Sequence, residues 1–274
     1  MLYLVLGFVS SAMVSIVMRL SEEKVRDNIG MLVMNYLMCT LLALGDTTVW
    51  KLGPELHITA ALGVVNGVIY LTSFVMLQRS VRKNGVVLSA TFMKLGLLVS
   101  IVISVCLFRE VPSLLQAAGF AIAVAAIILI NYKKEAGGKF NMGLVWLLLC
   151  GGMADAMSKI YEEIGWAELA PNFLFFTFAT ALPFCFLLMV LQGQRVGKWE
   201  AVYGLLIGIP NFFSSKFLLR ALESVPAVVA YPVYSVAAIL IVTLTGVALF
   251  RERLEKRQWA ALGLILAALI LLNL

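Results

Sequence analysis

Four ionisable side chains stand inside long apolar stretches: Lys94, Asp155, Lys159 and Lys216. A charge at the centre of a bilayer costs roughly 2.5–3.5 kcal/mol even on the mildest insertion scales, so such groups face a partner or a water-filled cavity. A lysine there suits an anionic group; an aspartate suits a cation, a proton or a neighbouring lysine. Lys94 lies about ten residues into the run 84–110 and Asp155 about thirteen into 142–161, depths of roughly 15 and 20 Å from the same end at 1.5 Å per residue. Neighbouring helices would let the two pair directly or through water. Two roles stay open: Lys94 holds an anionic substrate group with Asp155 as counter-ion or proton acceptor, or the two form an ion pair that locks packed helices. Lys159, one turn past Asp155, is a further charge-coupling candidate. Lys159 and Lys216 also lie near helix ends, where a long stem can carry the ammonium to the interface.

The uncharged candidates for binding a small polar molecule are Asn66, Tyr70, Asn211 and, in the run YPVYS, Tyr231, Tyr234 and Ser235. Asn35, Thr72, Ser73, Ser214 and Ser215 share their depth, and hydrogen bonding between helices is the other use of all these groups. Pro183, Pro210 and Pro232 interrupt apolar runs of the second half and are hinge candidates, or static kinks. Gly63/Gly67 and Gly204/Gly208 are each written G-x-x-x-G, a spacing that lets helix backbones approach closely.

Other chemistry is missing. His57 is the only histidine, and there is no H-E-x-x-H, no G-x-x-x-x-G-K-[ST] and no Gly-rich nucleotide loop, so catalysis and ATP-driven pumping by this chain alone are not expected. Cys39, Cys106, Cys150 and Cys185 fall in apolar runs without metal-ligand spacing. Neither cofactor nor metal is expected.

The elements that must position these groups follow from hydropathy. The chain is 62% hydrophobic and 13% charged, with mean hydropathy +1.00, which excludes a soluble globular domain. Residues 1–18 lack a basic leading region, the first cation being Arg19, and read as a first transmembrane helix rather than a cleaved signal. Breakers and hydropathy predict ten helices near 2–19, 30–47, 57–79, 84–107, 113–131, 142–161, 170–192, 200–219, 225–249 and 258–273. The fold class expected is an all-α polytopic membrane protein of ten transmembrane helices, arranged as two inverted five-helix repeats over 1–137 and 138–274 that together form one transport domain.

The repeat is visible in register. Ser11–Glu23 lies over Gly151–Glu163 at a shift of 140, Gly63 and Gly67 over Gly204 and Gly208 at 141, and Leu107–Glu110 (LFRE) over Leu249–Glu252 (LFRE) at 142. Five is an odd number of crossings, so the second half enters from the opposite side, as in many secondary transporters. Fifteen of the 21 Lys and Arg fall at one end of the predicted bundle and three, Lys51, Arg109 and Arg220, at the other. The positive-inside rule then puts both termini outside.

The long helix closed by Glu110 or Glu252, followed by a Gln and a Gly/Ala-rich last helix in each half, resembles the EamA-like branch of the drug/metabolite transporter (DMT) superfamily over the whole chain. That resemblance implies a carrier of small metabolites such as amino acids, with relatives that move sugar phosphates, nucleotide sugars, quaternary amines or drugs. It implies cytoplasmic termini, against the cation count. The expected reading is alternating-access transport of an amino acid or organic anion, with proton-coupled export of cationic or hydrophobic drugs and a non-transporting scaffold subunit as the rivals. Expected partners are the lipid bilayer, a small-molecule substrate and a coupling proton or ion, without nucleic acid. The chain would act as monomer or homodimer in a bacterial cytoplasmic (inner) membrane.

Overall fold

The computed structural model describes residues 1–48, 50, 53–84, 93, 96–131, 142–250 and 256–272. Ten α-helices run through them: α1 Leu2–Ser21, α2 Asn28–Asp46, α3 Pro54–Asn84, α4 Leu97–Phe108, α5 Leu114–Asn131, α6 Met142–Ile164, α7 Ala170–Leu191, α8 Lys198–Leu222, α9 Ala227–Phe250 and α10 Lys256–Leu272. A short 3-10 turn, Ala167–Leu169, leads into α7. Among the described residues seven helices are long and apolar enough to cross a membrane, and α4 and α5 contribute two shorter apolar segments. A fourth helix is expected from residue 84; the described part begins at Leu97, and most of 85–95, Lys94 included, lies outside the described residues. In hydrocarbon a spanning segment must satisfy its backbone internally, which is why these apolar runs become helices.

The chain folds into two compact units, and neither coincides with a sequence half. Unit 1 comprises Met1–Leu71 and Ile160–Glu223; unit 2 comprises Thr72–Lys159 and Ser224–Leu274. Each therefore contains helices from both halves. In unit 1, α2 packs on α7 and α8, and α1 packs on α8; in unit 2, α9 packs on α4, α5 and α10, and α10 packs on α5. Second helix thus meets second helix (α2 and α7), fourth meets fourth (α4 and α9) and fifth meets fifth (α5 and α10), counted within each half.

The connections at one end of unit 1 are stitched together. The Glu200 carboxylate in the first turn of α8 accepts from the amides of Arg26 (2.9 Å) and Asp27 (3.3 Å), and Asp27 accepts from the Arg195 amide at 3.1 Å. Gln194 accepts from the Ile29 amide at 3.0 Å, so orphan donors around the start of α2 are met from the α7–α8 connection.

Candidate functional site

In unit 1 the G-x-x-x-G glycines make two matching contacts. A Cβ placed on Gly63 would meet Phe173 O and Phe176 Cβ, and one on Gly204 would meet Met31 O and Met34 Cβ, all closer than 3.0 Å. A Cβ on Gly67 would meet Thr177 O and Thr180 Cβ, and one on Gly208 would meet Asn35 O and Met38 Cβ, again under 3.0 Å. Met31, Met34, Asn35 and Met38 stand 142 positions before Phe173, Phe176, Thr177 and Thr180. The third helix of each half therefore packs, atom for atom, on the second helix of the other.

Polar groups line both seams. Asn66 Nδ2 donates to Thr177 Oγ1 (3.2 Å), whose own hydroxyl donates to Phe173 O (2.8 Å). Asn211 Nδ2 donates to Asn35 Oδ1 (3.1 Å), and the Cys39 thiol donates to Gly208 O (3.3 Å). Tyr70 meets the rings of Tyr36 and Phe178 edge-on, at 6.4 and 6.2 Å between centroids. Tyr161 stacks on Phe173 at 4.2 Å while its hydroxyl lies 3.3 Å from Thr59 Oγ1 and donates to Trp166 O at 3.1 Å. Lys216 pairs with Asp46 at 2.5 Å, its ammonium also 5.9 Å from the Phe212 ring. A small cleft of about 30 Å³ is lined by Tyr161, Glu162, Trp166, Ala167, Ala170, Leu219 and Glu223.

Unit 2 holds the other candidates. Gly96 and Gly152 bring α4 and α6 into backbone contact, and Ser100 Oγ donates to Gly152 O at 3.0 Å. Tyr231 donates its hydroxyl to the Asp155 carbonyl at 2.8 Å, tying α9 to α6. Asp155 is exposed, Ser235 buried and Tyr234 half-buried. Lys159 does not reach an interface: its side chain is 3% exposed and forms an ion pair with Glu110 Oε1 at 2.8 Å. The other Glu110 oxygen, Oε2, accepts from the amides of Ala227 (2.7 Å) and Val228 (3.4 Å), the first two residues of α9. A buried lysine whose carboxylate partner also caps a helix is a satisfied pair rather than a snorkelling chain.

The sequence candidates accordingly divide. Asn66, Tyr70, Asn211, Pro183 and Pro210 belong to unit 1; Asp155, Lys159, Tyr231, Pro232, Tyr234 and Ser235 belong to unit 2. Lys94 lies outside the described residues. Pro183, Pro210 and Pro232 each sit inside a continuous helix. Glu110, Asp46 and Thr177 carry polar contacts that sequence reasoning did not assign. For Glu110 a signal existed, the LFRE written in both halves; for Asp46 and Thr177 there was none beyond the need of Lys216 and Asn66 for partners.

Residues 142–274 match the EamA-like transporter family. That match covers the last five helices, just under half of the chain. The chain is similar to an uncharacterized protein of Haemophilus influenzae, at 24% identity over 75% of this chain and 72% of that one. A protein of known crystal structure superposes with a TM-score of 0.74 over 98% of this chain and 94% of its own, at 12% identity, a likeness of fold alone. The seven apolar helices of membrane-spanning length, with the match of 142–274 to a transporter family, support an integral multi-pass membrane protein.

Proposed function

We propose that this EamA-like chain is a secondary transporter moving a small polar metabolite with a negative group, an amino acid or organic anion, by alternating access between two inverted five-helix repeats. The observation that carries the reading is the pair of matching glycine seams: contacts of Gly63 and Gly67 on α7 repeat at Gly204 and Gly208 on α2, as expected of two copies of one fold exchanging helices. The pairing of equivalent helices in each unit supports it further. Lys159 and Lys216 are committed to Glu110 and Asp46. Lys94 is therefore the cation assigned to the substrate's anionic group, with Asn66, Tyr70, Asn211, Tyr231, Tyr234 and Ser235 as the polar contacts, Asp155 as the coupling group and the three prolines as hinges.

Purified protein in liposomes, tested with labelled amino acids and organic acids under proton, sodium and counter-substrate gradients, decides the matter. Uptake that Lys94→Ala abolishes supports the anion reading. Absence of any flux under every gradient sinks transport. The exposed carboxylate of Asp155 favours one rival, export of cationic or hydrophobic drugs. In that case Asp155→Asn abolishes flux and Lys94→Ala does not.

A further inference from the structure

The sequence singled out Lys159 and left Glu110 as a family feature; the structure joins them at a junction of three elements within unit 2. We propose that Glu110 is a positioning residue of the transport cycle, a latch whose carboxylate holds the start of α9 against Lys159 of α6 and the end of α4, and whose release of the α9 amides opens that junction. The inference rests on the transport reading for its purpose, not for its geometry.

Both carboxylate oxygens are used, and on different elements: Oε1 on Lys159, Oε2 on the amides of Ala227 and Val228. The two attachments are unequal. Lys159 is buried, with its ammonium 5.8 Å from the Phe108 ring, so its bond to Glu110 joins two opposite charges shielded from water and is costly to break. The α9 amides are neutral donors at a helix start and lose far less on exchange for water. Opening therefore breaks the amide bonds first, with Lys159 and Glu110 staying together.

The chain around Glu110 is shaped for this. Arg109 takes a left-handed conformation, φ 58°, and is the only non-glycine residue with positive φ among those described. It turns the chain so that the Glu110 amide bonds back to Ser104 O at 3.2 Å, closing α4 in the position glycine usually fills. A non-glycine held there is strained, as residues at elements that switch often are. One turn behind sits Ser104, fully buried, whose hydroxyl has no hydrogen-bond partner among the described residues. Entry of water behind an opened latch would satisfy it.

The test follows Ser104. In protein whose four native cysteines are replaced, a single Ser104→Cys is labelled in detergent with a charged, water-soluble maleimide, well below the unfolding temperature. A parallel protein keeps only Cys39, buried in unit 1. The expected result is slow labelling at both sites, and a rise of about tenfold at position 104 alone in Glu110→Gln, which weakens the cap and removes the ion pair. Ala227→Pro deletes only the 2.7 Å donor at a helix position that tolerates proline, and carries the test if the Gln variant does not fold. Its labelling should rise as well, with the ion pair untouched. The exchange E110K/K159E restores a pair of charges but gives the amides no acceptor, and labelling should stay fast. Equal rates in parent and variants, matched acceleration at Cys39, or a slow rate restored by the charge exchange would each overturn the latch. Labelling needs no substrate, so failure of transport in liposomes leaves this result standing, and an unchanged label leaves transport standing.

Discussion

Unit 1 and unit 2 hold helices together by different chemistry. The seams of unit 1 are backbone contacts: four glycines let α3 and α8 lie on α7 and α2, with Asn66–Thr177 and Asn211–Asn35 as the polar bonds beside them. Among the described residues unit 2 shows one such contact, Gly96 on Gly152, and a buried ion pair whose carboxylate is shared with a helix start, whereas the Lys216–Asp46 pair of unit 1 is only half-buried. A packed seam has one good arrangement, because displacement costs dispersion contacts without offering replacements. An ionic junction has alternatives, since each member can exchange partners. The difference teaches where this fold can be rigid and where it can switch.

The sharpest way to break that comparison is to fill a seam. Gly204→Leu or Gly67→Leu puts a side chain where even a Cβ meets backbone, and should abolish monodisperse protein on size-exclusion chromatography. A stable, folded Gly204→Leu would mean the seam yields and the contrast is false. Next, Glu110→Ala takes the 2.8 Å carboxylate from buried Lys159 and should lower stability by about 3–5 kcal/mol, whereas E110A/K159M should recover part of that loss. Thermal unfolding of the parent, E110A, K159M and E110A/K159M in one detergent measures the coupling, and additive losses would deny it. Asn211→Ala removes one interhelical hydrogen bond in a seam otherwise carried by packing, and should cost only about 0.6–1.7 kcal/mol. The smallest effect is a gain. Among the described residues nothing lies near the would-be Cβ of Gly263 in α10, so Gly263→Ala should stabilise the protein slightly, by about 0.5–1 kcal/mol of helix preference, seen as a small rise in melting temperature. A destabilised Gly263→Ala would show that its open face is covered.

Much of this was legible in the chain. Apolar runs of membrane length and the breakers between them predict an all-helical chain, and most described helices begin and end within a few residues of those runs, because hydrocarbon leaves a backbone few alternatives; the fourth run, from residue 84, is described only from Leu97. The G-x-x-x-G pairs announced close packing, but not what they would pack on: α7 and α2 lie about 110 and 170 residues away, and no local pattern names them. Lys159 could couple to a charge or snorkel to an interface; Glu110, closing another helix, carried no sign of which lysine it would meet. The same holds for Lys216 and Asp46. The compact units mix helices of both sequence halves, a pairing that no local pattern in either half spells out.

That mixing bears on how the protein is made. When Gly67 enters the membrane, the Thr177 backbone it will rest on is about 110 residues from being translated, an interval of ~5–20 s at ordinary rates. Over that time the first half waits in lipid with its glycine grooves open. Residues 1–137 expressed alone should therefore be degraded or recruit a second copy, and co-expression with 138–274 as a separate chain should rescue both. The seams that make unit 1 rigid are also the last appointments its nascent chain has to keep.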